Sequence, residues 1–184
     1  MKGYIGSANI DTNSRLCMAS SVAGHKRAFG SDTVPGTYRD LELADLVVLV
    51  GSNLAWCHPV LQQRLAAVKA ERPSMRIVVI DPRATATAEI ADMHLALRPD
   101  SDVALFAGLL DALHRSGKLD KRFVLQHTAG WGEALRCAES IGIEGAIART
   151  GLPREQIQRF YALFTETEKC VTVYSQGVNQ SRSG

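Results

Sequence analysis

"DLVVLVGSN" (45–53) runs five apolar residues together, Leu46 to Val50, and then turns at once to glycine, serine and asparagine. Apolarity that is continuous, not alternating, marks a strand covered on both faces, as in a parallel sheet. "MRIVVIDPR" (75–83) repeats the pattern. Between the two, "HPVLQQRLAAVKAER" (58–72) reads as a helix with Pro59 in its first turn, where a missing N–H costs nothing. Strand, helix and strand make a βαβ unit.

Outward from that unit the alternation continues. "HLALR" (94–98) reads as a short strand, and "SDVALFAGLLDALHRSG" (101–117) as a helix with Ser101 as N-cap, Asp102 in the first turn and Gly117 as its stop. Two weaker helical segments follow, "DKRFVLQHT" (120–128) and "GWGEALRCAESI" (130–141), then an amphipathic helix, "LPREQIQRFYALFTET" (152–167). The last strand is "CVTVYS" (170–175), with "QGVNQSRSG" after it. These elements predict one domain over 1–184: a doubly wound, Rossmann-like α/β fold with a mostly parallel sheet and helices on both faces. Residues 118–168, mostly helical, are expected as a lobe over the sheet.

Composition narrows the class. With 46% hydrophobic and 22% charged residues in 184, the chain is a globular protein with a substantial core. A net charge of +2 is too mild for phosphate-backbone binding, so no nucleic-acid partner is expected. No apolar run approaches the ~20 residues that span a bilayer, and no membrane association or secretory signal is expected. The four cysteines, 17, 57, 137 and 170, form no CxxC pair, which argues against a zinc knuckle and for a reduced, cytoplasmic setting.

In a doubly wound sheet, ligands bind where strands end. Three such places carry groups suited to an anionic, heteroaromatic ligand: "GSN" (51–53), "DPRATAT" (81–87) and "RPDSD" (98–102). Gly51 lets a ligand approach the backbone, and Ser52 and Asn53 supply donors and acceptors. Arg83 and Thr85 can meet phosphate oxygens, Asp81 can accept from a ribose hydroxyl or a purine edge, and Asp102 can read the amino and imino edge of guanine. The competing reading is ordinary turn and cap chemistry, which uses the same residue types. Three strand ends together favour a nucleotide-like ligand. GxGxxG and GxxxxGK[ST] are absent, which disfavours an ordinary NAD enzyme and a P-loop ATPase, and there is no HExxH metal pair. The histidines, His58 and His94 among them, lack metal-ligand spacing and read as strand-end or helix-end partners.

One cysteine remains open on residue chemistry alone. Cys17, in "SRLCMASSVAGHKRAFG" (14–30), is either a small buried thiol or a thiolate with basic neighbours able to hold a soft metal. Cys137 and Cys170 read as structural, and Cys57 is ambiguous.

Four ordered segments, "NIDTNSRLCMASS", "VGSNLAWCHPVL", "IDPRATATAEIADMHLALRPDSDVALF" and "YSQGVNQS", resemble the catalytic subunit of molybdopterin-dependent nitrate reductases of the assimilatory and periplasmic types, within the dimethyl sulfoxide reductase superfamily. The resemblance implies molybdenum held by two molybdopterin guanine dinucleotides and fed by a 4Fe-4S cluster that has no ligands in this chain. It implies that Cys17 ligates the metal and that Met18 stands beside it in the catalytic site. The dinucleotide contacts it implies begin at Asn13 and continue with Val50, Gly51, Ser52, Asn53, Leu54, Ala55, Trp56 and Cys57. They go on through Asp81, Pro82, Arg83, Ala84 and Thr85, then Asp100, Ser101 and Asp102, and end at Gln176 and Gln180. Formate dehydrogenases of the superfamily carry histidine after the cysteine, so Met18 points to oxygen-atom removal from nitrate in nitrate assimilation. Arg15 is a candidate to steer the anion, and a surface or phosphate-facing role fits it equally well. Many members have a second arginine where Ala84 stands and a glycine where Asp100 stands, which points to weaker phosphate charge compensation here.

The expected partners are nitrate, an electron-donor protein or subunit, and further domains of the same polypeptide, since Met1 begins inside the family pattern and Gly184 ends beside the glutamine contacts. The alternatives are a segment of a formate dehydrogenase or another molybdopterin oxidoreductase, and a guanine-nucleotide-binding module without enzymatic activity.

Overall fold

In the computed structural model the described residues are 2–181, apart from the side chains of Lys2, Ser14 and Arg15. The side chain proposed to steer the anion, Arg15, therefore lies outside them.

The described elements run α1 (Lys2–Ile5), α2 (Ser14–Cys17), α3 (Ala19–Phe29), α4 (Tyr38–Leu43), β1 (Leu46–Val50), α5 (Leu54–Cys57), α6 (Pro59–Glu71), β2 (Arg76–Ile80), a 3-10 turn (Ala86–Ile90) and β3 (Met93–Leu95). They continue with α7 (Asp102–Arg115), α8 (Lys121–His127), α9 (Trp131–Thr150), α10 (Arg154–Glu166), β4 (Cys170–Tyr174) and α11 (Gln176–Asn179). The strands form one sheet in the order β3-β2-β1-β4. Every pairing is parallel, with Val48 beside Val78 on one side and Thr172 on the other.

The unbroken apolar run of β1 is divided between two cores. Leu46, Val48 and Val50 face α7, α9 and α10, where Leu105, Ala146, Ile157 and Phe160 meet them. Val47 and Leu49 face the opposite way, against Leu41 of α4 and Leu65 of α6. All five side chains are buried, as the absence of alternation requires. This is the doubly wound α/β fold expected from the sequence.

Three details differ from the expectation. The third strand ends at Leu95, because the Arg98 N–H turns away to the Thr150 carbonyl (2.9 Å) and Pro99 has no N–H to give. The second weak helix does not stop near Ile141; α9 reaches Thr150 across a kink at Gly142, whose φ of 52° breaks helical geometry without ending the element. Residues 118–168 are not wholly a lobe over the sheet: Ala146 of α9 and Ile157, Phe160 and Tyr161 of α10 join the first core, while most of α9 packs on α7.

Candidate functional site

The chain leaves β1 toward β2 and β3 on one side and returns to β4 on the other. The carboxyl ends of β1 and β4 thus flank the point where strand order reverses, which is where open α/β sheets form a crevice. Two glycines define it. Gly51 follows β1 with φ of +53°, a conformation that L side chains rarely adopt. A Cβ there would lie 2.7 Å from the Gly177 Cα, and one on Gly177 would lie 2.6 Å from the Gly51 Cα. The Gly177 N–H donates to the Gly51 carbonyl (3.0 Å), so two backbones meet here with no side chain between them.

Polar groups collect around this contact. The Ser52 hydroxyl, after β1, and the Asn179 side-chain oxygen, in α11 after β4, are both buried and without a hydrogen-bond partner. An unsatisfied buried polar atom costs ~1–3 kcal/mol, so it marks either strain or a missing ligand. Asn53 accepts from the Thr87 hydroxyl (3.0 Å), and that hydroxyl accepts from the Ala55 N–H (3.1 Å). After β2, Asp81 accepts from the Arg83 N–H (2.8 Å) and its carbonyl meets His94 Nε2 (2.8 Å), the strand-end role foreseen for that histidine.

At the start of α7, Ser101 occupies the N-cap position without capping. Its hydroxyl donates instead to the Arg98 carbonyl (2.5 Å), which closes the turn holding Asp100. Asp100 has φ of +63°, the left-handed region, and that explains why a glycine suits this position. Its carboxylate accepts from the Ser181 hydroxyl (2.5 Å). Burial pushes the Asp102 carboxyl up; its own backbone N–H opposes this, while the neighbouring carboxylates of Asp100 and Asp81 add to it.

Cys17 closes α2, where its N–H donates to the Asn13 carbonyl (2.7 Å). The thiol is half-buried, and Gln176 Nε2 approaches it at 3.4 Å. Cys17 thus sits against the end of β4, beside the crevice. Met18 follows as the N-terminal boundary of α3.

The sequence-selected residues are therefore not equally placed. Gly51, Ser52, Asn53, Asp81, Asp100, Ser101, Asp102, Gln176 and Gln180 all follow the carboxyl ends of strands on one edge of the sheet, and Cys17 joins them through Gln176. The side chains of Val50 and Leu54 are committed to the cores, which leaves only their backbones to a ligand. Trp56 is 77% exposed, and Cys57, Pro82, Arg83 and Ala84 are exposed too. Thr85 precedes the 3-10 turn. Cys137, read as structural, is exposed on α9 and does not pack; Cys170 is half-buried, and burial pushes its thiol up to about 11. Gly177, Asn179 and Thr87 were not anticipated. The glycine in "QGVNQ" was the available signal, since it follows its strand as Gly51 follows β1.

Fold and strand order together define a doubly wound α/β protein whose polar residues gather at the carboxyl ends of its strands. Residues 1–184 match the family described as Molybdopterin oxidoreductase, and the chain belongs to that family. It is 54% identical over 184 residues to a nitrate reductase of Klebsiella oxytoca and 47% identical over 186 to one of Shewanella frigidimarina, in each case across 100% of this chain. It covers 21% and 20% of those proteins, so the chain spans about a fifth of the curated relatives it matches. Among solved structures, acetylene hydratase from Pelobacter acetylenicus superposes with a TM-score of 0.77 over 94% of this chain and 23% of its own, at 23% identity; that likeness speaks for the fold alone.

Proposed function

We propose that this chain is a single α/β domain within a larger subunit, and that it forms part of the cage for a molybdenum bis(molybdopterin guanine dinucleotide) in a nitrate reductase that converts nitrate to nitrite. The observation that carries the reading is the crevice itself: a backbone contact stripped of side chains, two buried polar atoms with no partner, and a thiol at its rim. These residues fit the group. Among the described residues no cluster of three or more His, Cys, Asp or Glu could hold a metal ion, which suits a metal held mainly by non-protein ligands with one thiolate added.

In this reading the Cys17 thiolate is the protein ligand, and the Gln176 N–H steadies it. Gly51 and Gly177 hold the ends of β1 and β4 together beneath the dinucleotide, Ser52 and Asn179 gain the hydrogen bonds they lack, and Asp102 reads guanine. When bound, such a group supplies two-electron oxygen-atom transfer. Met18 offers no titratable proton beside the thiol, which favours nitrate over formate. Electrons come from a 4Fe-4S cluster in another part of the subunit and, before that, from a donor protein. No helix among the described residues is long and apolar enough to cross a membrane, and free thiols suit the cytoplasm.

The test is molybdenum per chain, measured by elemental mass spectrometry on the full-length protein purified anaerobically. Near-stoichiometric metal is expected, with loss of nitrate reduction by at least ~100-fold in Cys17→Ser. A folded, metal-free preparation that binds guanine nucleotide but reduces no nitrate would leave guanine-nucleotide binding as the better account.

A further inference from the structure

Helix α3 follows the Cys17 turn directly, yet none of its residues is fully buried. Without an apolar face packed on the core, little hydrophobic stabilisation fixes where it stands. What it has is a small set of polar contacts to the end of β4. His25 Nδ1 lies 2.9 Å from the Thr33 carbonyl, which can only accept, so Nδ1 carries the proton in the neutral ring. The lone pair on Nε2 then faces the Tyr174 hydroxyl at 2.5 Å, and the phenol donates. The two rings meet edge to face, with centroids 5.8 Å apart, and Phe29 packs on the imidazole in the same way at 5.5 Å. Ser20 adds a bond from its hydroxyl to the Ser181 carbonyl (2.9 Å), beyond α11.

We propose that His25 and Tyr174 are positioning residues, a hydrogen-bonded latch that sets where Cys17 stands at the rim of the crevice. The inference rests on the reading of Cys17 as a metal ligand, since only then does its placement bear on function. Tyr174 is the last residue of β4, and Gln176, whose amide meets the Cys17 thiol, begins the next helix. The segment from Cys17 to His25 is therefore held at both ends by neighbouring positions of one rigid strand end. Ser21 reinforces the near end by donating to the Met18 carbonyl (3.1 Å). If the far contact is released, α3 can pivot about its start and the thiol loses its fixed bearing on Gln176.

The latch can be read through the thiol itself. The full-length polypeptide is produced without molybdate, so that Cys17 is free, and labelled with iodoacetamide, with each cysteine followed by peptide mass spectrometry. Exposed Cys57 and Cys137 serve as internal references. Tyr174→Phe removes a single oxygen and should label Cys17 about fivefold faster, the factor one ordinary hydrogen bond is worth. His25→Ala should also accelerate labelling, and the double variant should fall short of the product of the two single factors, because the shared His25–Tyr174 bond is lost in each. An unchanged Cys17 rate, additive single effects, or equal acceleration at Cys57 and Cys137 would overturn the proposal, the last by revealing general loosening. Molybdenum in wild-type protein produced with molybdate is measured alongside. Its absence counts against the metal reading and leaves the labelling result standing as a statement about the latch.

Discussion

The two ends of the sheet are built in opposite ways. At the amino ends Asp92 takes Lys69 (2.6 Å) and Arg76 (3.0 Å), and Asp45 takes Arg72 (3.0 Å). At the carboxyl ends, Asp81, Asp100 and Asp102 gather with no ion pair to a cation among the described residues, beside two buried polar atoms that lack partners. One end is satisfied within the chain; at the other the Ser52 hydroxyl and the Asn179 oxygen are left without a partner. A fold can be stable and still hold local conflict, and the conflict sits where a ligand is expected.

The largest effect is expected at the glycine contact. Gly51→Ala puts a methyl into the Gly177 backbone and adds a left-handed conformation, so it should cost roughly 3 kcal/mol in urea unfolding. At the satisfied end, Asp92→Asn should cost about 2 kcal/mol at pH 7. Burial alone would raise this carboxyl, but Lys69, the Ile77 N–H and Arg76 outweigh it, and the folded value lies below the ordinary 3.8. Its contribution is therefore full above that unfolded value and is lost as pH falls through the lower folded one, where variant and wild type should converge.

The ligand-binding end should show the opposite sign. Ser52→Ala removes an orphaned hydroxyl and should stabilise the ligand-free protein by about 1 kcal/mol while weakening guanine-nucleotide binding in calorimetry. Asp102→Asn relieves a buried carboxylate beside two others and should raise Tm by about 2 °C, again at the expense of binding. If Ser52→Ala and Asp102→Asn destabilise as Asp92→Asn does, the contrast between the two ends fails.

The scaffold was more legible in the sequence than the site. Five apolar residues without alternation at 46–50 can hardly be satisfied except by helices on both faces, and Pro59 marks its helix start on local chemistry alone. The strand ends could be chosen as places to search because the fold dictates them. What stayed hidden depends on pairs far apart in the chain. No pattern near residue 25 says that a histidine will meet Tyr174, and none says that Trp56 will stand exposed on α5, a single turn with only Leu54 buried. Past Ile141, where the sequence reading ends the second weak helical segment, Gly142 is only a bend inside a continuing helix.

The contact of Gly51 with Gly177 also has a consequence for inheritance. Each backbone is the other's wall, so a side chain gained at either position is refused by its counterpart, whichever mutates first and whatever its size. Any single change away from the pair carries that clash while β1 and β4 remain neighbours. The two codons, remote in the gene, are bound to a common fate, and variation in descendants of this chain must accumulate around them.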